Sequence, residues 1–264
     1  MLTVTNLNKT FNAGTVNEKH VIKDLSLTVN DGDFITIIGS NGAGKSTLLN
    51  LISGNVPVDS GRINLGGTDI TYQSDVKRAK RIGRVFQDPM MGTSPDMWIE
   101  ENLALAYRRT GRHTLRWGIK PQERETYRAA LAQLNLGLED RLQSKVGLLS
   151  GGQRQAVTLL MATLQKPELL LLDEHTAALD PKTAATVLTL SDQIIKEHNL
   201  TALMVTHNMQ NAIDYGNRLI MMHDGRIIFD IAGEEKKKLT VEALLQKFEE
   251  ISGSEFANDR ALLS

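Results

Sequence analysis

The sequence predicts an α/β protein with a mainly parallel sheet covered by helices on both faces, an N-terminal antiparallel β portion and an inserted helical segment. Three observations predict it. Short apolar runs such as Asp33-Phe34-Ile35-Thr36-Ile37-Ile38 and Leu169-Leu170-Leu171-Leu172 must be covered twice, as parallel strands are. Such runs alternate with helical patterns along much of the chain. The first thirty or so residues instead alternate apolar and polar side chains, as strands with one solvated face do.

Each element has its own signal. Leu2–Phe11 and His20–Val29 alternate as paired strands, and residues 12–19 between them have loop composition. Asp33–Ile38 is a buried strand, and Ser46–Ile52 opens a helix. Arg62–Leu65 and Gly83–Phe86 are further strands. From Asp88 to Val146 strand signals stop. Trp98–Arg109 and Gln122–Leu134 carry apolar residues at helical spacing, separated by Gly111, Gly118 and Pro121. Ser150 reads as the N-cap of a helical run from Arg154 to Leu164. After the four leucines comes Pro181–His198, a helix with proline in its first turn. Thr201–Thr206 and Arg218–Met222 are strands, and Gly225 turns the chain into Arg226–Ile231. Residues 234–238 read as a charged surface run, and Val241–Ile251 as an amphipathic packing helix.

Composition excludes several classes. Thirty basic and 31 acidic residues nearly cancel, so no global field points to nucleic acid or anionic lipid. Without cysteine there are no disulfides, thiolate metal sites or cysteine nucleophiles. No stretch approaches the ~18 apolar residues that span a bilayer. The start, Met1-Leu2-Thr3-Val4-Thr5-Asn6, lacks the basic-then-apolar layout of a secretory signal. The expectation is a cytoplasmic chain of about one or two domains that meets a membrane only through a partner.

Chemistry enters at Gly39-Ser40-Asn41-Gly42-Ala43-Gly44-Lys45-Ser46-Thr47, with the P-loop spacing of a glycine, four residues, then Gly-Lys-Ser. The glycines let backbone N–H groups turn inward on a phosphate chain. Lys45 adds a point charge near the terminal phosphates, and Ser46 offers an oxygen to Mg²⁺. A strand before the loop and a helix after it put the positive end of a helix dipole on the anion. A second centre is Asp173-Glu174, two acids at the carboxyl end of the leucine strand, where α/β folds place ligands. From the residues alone, a metal-only role for both acids stays open.

Leu149-Ser150-Gly151-Gly152-Gln153 matches the ABC signature without a change. With the motifs around it, the chain resembles the ATP-binding subunit of a bacterial ABC transporter from Leu2 to Ile231. The resemblance implies a P-loop NTPase core (1–87 and 157–232) and an inserted helical subdomain (88–156). Together they form one ABC ATPase domain over 1–232, followed by a short tail, 233–264. It implies ATP and Mg²⁺ as cofactors, with Gly39 to Thr47 on the phosphates and Asp173, Ser46 and Gln87 on the metal. Glu174 takes the position that polarises the attacking water. Gln87 matches the Q-loop glutamine, His207 the switch histidine at the γ-phosphate, and Phe11 the aromatic that stacks on adenine. Ser150, Gly151, Gly152 and Gln153 would reach the ATP of a second ATPase subunit, and Asp180 matches the D-loop that crosses that interface. The implied partners are that second subunit, as a homodimer, membrane permease subunits that dock on the helical insert, and a solute-binding protein. No nucleic acid is implied. The chain would sit peripherally on the cytoplasmic face of the membrane.

The run Asp173-Glu174-His175-Thr176-Ala177-Ala178-Leu179-Asp180 departs from the common D-E-P-T-S-A-L-D. His175 restores a backbone N–H that proline lacks, and Ala177 removes a hydroxyl. The residues 11–20 and Gln87-Asp88-Pro89-Met90-Met91-Gly92-Thr93 resemble ATPases of importers for amino-acid-like or other small organic solutes. Efflux and lipoprotein-release ATPases share the short-tailed layout and are the alternative. A soluble ABC ATPase is a further one, but the chain has neither sustained heptads nor a second cassette. A P-loop kinase or GTPase is opposed by the signature, and a non-catalytic nucleotide-held module by Glu174 with His207. A tail of about thirty residues is too short for a separate regulatory domain.

Overall fold

The computed structural model describes residues 1–111 and 118–252. The parts of the helical insert at 112–117 and of the tail at 253–264 lie outside the described residues. In chain order the elements are β1 (Leu2–Phe11), β2 (Lys19–Val29), β3 (Phe34–Gly39), α1 (Lys45–Ser53), β4 (Ser60–Leu65), β5 (Thr68–Asp69) and α2 (Asp75–Arg78). Then come β6 (Ile82–Val85), α3 (Ile99–Arg108), α4 (Pro121–Ala132), α5 (Gly151–Thr163), β7 (Leu169–Asp173) and α6 (Pro181–His198). The chain closes with β8 (Ala202–Val205), α7 (Met209–Asp214), β9 (Arg218–His223), β10 (Arg226–Ala232), α8 (Gly233–Lys237) and α9 (Val241–Ser252). Among the described residues no helix is long and apolar enough to cross a membrane.

The chain forms two compact units, Met1–Arg78 with Asn199–Ser264, and Ala79–His198. The first unit holds an antiparallel sheet in the order β2-β1-β4-β5. It also holds β3, which pairs in parallel with β8 on one side and β9 on the other, with β10 antiparallel to β9. All six residues of β3 and all four of β8 are buried, so the β-branched run is covered on both faces as expected. The second unit pairs β6 and β7 in parallel and carries α3, α4, α5 and α6.

Two arrangements fix α1, the helix after the P-loop sequence. The Arg78 guanidinium is 3% exposed and donates to the carbonyls of Leu51 (2.7 Å), Ile52 (2.8 Å), Thr71 (2.7 Å) and Gln73 (3.0 Å). It thus places a cation on the negative end of α1 and satisfies carbonyls the helix leaves open. Burial lowers its pKa from the ordinary arginine value. Ahead of the helix, the Gly225 N–H donates to the Ala43 carbonyl (3.1 Å), tying the β9–β10 turn to the loop.

The tail differs from expectation at one point. The run 234–238 is not a solvated loop: it lies in and just beyond α8, and Lys236 is 2% exposed. Its ammonium donates to the carbonyls of Tyr215 and Gly216, beyond the C-terminus of α7, and burial lowers its pKa to about 8. Charge composition could not show this, because one lysine of three is taken inward while Lys237 faces Glu234 outside. The amphipathic helix is present as α9. Its Leu244 and Phe248 join Ile38, Met209, Ala212, Leu219 and Met221 in one apolar cluster, and each such side chain contributes roughly 2 kcal/mol when buried.

Candidate nucleotide site

In the first unit, the parallel register of β3 and β8 pairs Ile37 with Val205. Two residues further along each strand stand Gly39 and His207, so the start of the P-loop sequence and the exposed histidine leave neighbouring strands at one level. The Thr206 N–H donates to the Ile37 carbonyl (3.1 Å), carrying the pairing to the residue before His207. Beyond it, the Asn208 side chain accepts from the Asn211 N–H (2.8 Å) and caps α7.

Gly39 is required sterically. A Cβ there would stand 2.1 Å from the Met222 carbonyl oxygen on β9, and its φ is 151°. The loop then closes around its own lysine. Lys45 is 6% exposed, and its ammonium donates to the carbonyls of Gly39 (2.7 Å) and Ser40 (3.1 Å). The same unit brings the β1–β2 hairpin to the loop. Phe11, half-buried, pairs in register with Lys19, whose ammonium lies 3.5 Å from where a Cβ on Gly42 would stand. The Lys9 ammonium sits over the Phe11 ring at 5.5 Å.

In the second unit the same construction recurs. The register of β6 and β7 pairs Val85 with Leu172, and two residues beyond them stand Gln87 and Glu174. Gln87 is exposed and Glu174 half-buried. Asp173, the last residue of β7, is 8% exposed and receives Arg84 Nη2 at 3.0 Å. The Arg84 guanidinium also lies over the Phe86 ring at 4.5 Å. Burial lowers the pKa of Arg84, and the Asp173 carboxylate beside it works the other way. Sequence reasoning missed Arg84, because a strand arginine acquires this meaning only from its register beside β7.

The signature sequence opens α5 with a reciprocal cap. The Gln153 N–H donates to Ser150 Oγ (3.3 Å), and the Ser150 N–H to Gln153 Oε1 (3.2 Å). Gly152 allows α5 to approach α6: a Cβ there would meet the Thr183 methyl at 2.1 Å. Gln155, fully buried on α5, donates to the Phe86 carbonyl (3.1 Å) just before Gln87. Asp180 is exposed and accepts from the Thr183 N–H (3.1 Å), which caps α6; hydrogen bonding from the Thr183 side chain and then its backbone holds the carboxyl below the usual range. Asn102, 1% exposed, accepts from the Ser94 N–H (2.8 Å) and donates to the Ser94 carbonyl (3.1 Å). It clamps the segment between Gln87 and α3, another contact with no local sequence signal.

Each residue assigned to Mg²⁺ by the resemblance, Ser46 in the first unit and Gln87 and Asp173 in the second, carries an oxygen, the donor that this hard cation takes. Mg²⁺ keeps waters and substrate phosphate oxygens in its shell and needs few protein ligands. Among the described residues no cluster of three or more His, Asp or Glu that could hold a metal by itself occurs.

A family model described as ABC transporter matches residues 22–177. The chain belongs to the ABC transporter family. This ABC cassette is 47% identical to a tyrosine transport ATP-binding protein of Clostridioides difficile (strain R20291), over 94% of this chain and 99% of that one. It is 38% identical to a phosphonates import ATP-binding protein of Ruegeria sp. (strain TM1040), over 87% of this chain and 88% of that one. Its fold matches a solved ATP-binding cassette, a dimer in a post-hydrolysis state bound to ADP and Pi. The TM-score is 0.75 at 28% identity, covering 88% of this chain and 98% of the other. The cassette is an ATP-binding subunit with ATPase activity, and its α/β architecture is the one expected from sequence.

Proposed function

We propose that this ATPase drives import of an aromatic amino acid, tyrosine or one close to it, through a separate membrane permease. The observation that carries the reading is near-half identity, over nearly the full length of both chains, to a protein named for tyrosine transport. A relative named for import supports the direction. The working form is a dimer of cassettes on the cytoplasmic face of the membrane. Permease subunits dock on the helical insert, and a solute-binding protein delivers the cargo.

Phosphoryl transfer requires positioning and charge neutralisation rather than a covalent intermediate. The backbone of Gly39 to Thr47 cradles the phosphates, and Lys45 exchanges loop carbonyls for phosphate oxygens. Phe11 stacks on the adenine. Ser46, Asp173 and Gln87 would hold Mg²⁺, which would supply neutralisation of phosphate charge. Glu174 orients the attacking water and accepts its proton, and His207 donates to the γ-phosphate. Ser150, Gly151, Gly152 and Gln153, with Asp180, complete the site of the second subunit. Nucleotide binding then favours the closed dimer and hydrolysis releases it.

The test is reconstitution with a candidate permease and solute-binding protein. ATP-dependent accumulation of labelled tyrosine in proteoliposomes is expected. ATP hydrolysis without accumulation of any aromatic amino acid would remove the cargo assignment, and expulsion of solute would remove the direction.

A further inference from the structure

We propose that His175 is a positioning residue for the Glu174 carboxylate, acting through its hydrogen bond to Ser191 on α6. The inference rests on the reading of Glu174 as the catalytic carboxylate.

His175 is 2% exposed, and its Nε2 lies 2.9 Å from Ser191 Oγ. Ser191 is itself 1% exposed and sends its hydroxyl hydrogen to the Val187 carbonyl (2.8 Å), one turn back along α6. A hydroxyl has one hydrogen, so Ser191 Oγ accepts from His175. The imidazole therefore carries a hydrogen on Nε2, in a donor chain from His175 through Ser191 to the helix backbone.

What this peg holds is the turn between β7 and α6. Glu174 has φ 45°, a left-handed conformation that a non-glycine residue keeps only when its surroundings impose it. After it the Ala177 N–H returns to the Glu174 carbonyl (3.0 Å) and the Leu179 N–H to the Thr176 carbonyl (3.2 Å). The segment is anchored at one end by the buried strand β7 and at the other by Asp180 on Thr183. His175 is an interior anchor, adjacent to Glu174. Where the common motif stiffens this position with a proline ring, this chain fixes it with a side chain driven into α6. Displacing a reacting group by about 1 Å can cost on the order of a hundredfold in rate, so the peg bears on turnover while leaving the phosphate-binding loop untouched.

The experiment compares Ser191→Ala, His175→Ala and His175→Gln in the full-length chain, with Glu174→Gln in parallel. Steady-state ATP turnover, binding of a fluorescent ATP analogue and melting temperature are measured for each. Turnover is expected to fall about tenfold or more in Ser191→Ala and His175→Ala, with analogue affinity within about twofold of wild type. His175→Gln, whose amide can donate where Nε2 does, should recover most of the turnover. Wild-type turnover in Ser191→Ala overturns the proposal, and that variant carries the test alone if His175→Ala fails to fold. Turnover and affinity falling together, or no rescue by glutamine, also overturn it. If Glu174→Gln turns over at the wild-type rate, the catalytic reading itself fails and this inference falls with it. If only Glu174→Gln is impaired, the catalytic reading stands and the role of His175 does not.

Discussion

Arg84 and Asp173 form a largely buried ion pair, 3.0 Å between Nη2 and Oδ2, on the adjacent strands β6 and β7. Breaking such a pair from one side leaves a desolvated charge, whereas removing both charges can be close to neutral. Arg84→Met should therefore cost about 3 kcal/mol, and the double variant Arg84→Met/Asp173→Asn should recover part of that. Urea unfolding of the four proteins of this cycle measures it. Additive losses would mean that the pair contributes no coupling.

Lys45→Ala removes the cation on which the carbonyls of Gly39 and Ser40 converge. ATP affinity should fall tenfold or more, about 1.4 kcal/mol or beyond. A titration that matched wild type would withdraw the phosphate assignment of the loop.

Glu174→Gln keeps shape but loses the proton acceptor. ATP should still bind while turnover drops by roughly 10²-fold or more, and ATP should trap a dimer on size-exclusion chromatography. Unchanged turnover would mean that another group activates the water.

Ser150→Arg places a long cation at the exposed N-cap of α5. If this serine serves the nucleotide of the opposite copy, the isolated chain should bind ATP normally and hydrolyse none of it. Mixing with Lys45→Ala chains should restore partial activity, since the mixed dimer holds one undamaged site. Full turnover of Ser150→Arg alone, reconstituted with its permease, would show that hydrolysis needs only one chain.

Burial pushes the pKa of His175 down to about 4, from about 6.5 in an unfolded chain. Between these values the unfolded state binds a proton that the folded state refuses, so stability is complete above about pH 6.5 and declines as pH falls toward 4. The contribution is about 3 kcal/mol. Unfolding free energies at pH 7.5 and 4.5 should fall less for His175→Gln than for wild type. Parallel losses in the two proteins would assign the acid sensitivity to the carboxylates.

Much of this was legible in the sequence, for identifiable reasons. β1, β3 and β7 follow from alternation or unbroken apolarity, and α6 begins at the proline that starts it. The loop from Gly39 to Thr47 and the cap at Ser150 are local, so spacing alone reveals them. The short elements β5, α2 and α7 are below the length at which a period can be counted. The contacts of Arg84, His175 and Lys236 depend on which more distant segment lies alongside, and no local pattern encodes that. Lys236 shows the difficulty best, since its neighbours in sequence remain in water.

The contact between Gly39 and the Met222 carbonyl is made by main chain on main chain. The entry to the P-loop sequence therefore takes its place from two strand backbones, with Lys45 of the loop itself donating back to the Gly39 carbonyl. Replacements among the surrounding aliphatic residues can accumulate over a lineage and shift packing slightly without carrying the loop along. The tolerance of the whole region is thus bought at a single position, where the smallest residue admits no substitute.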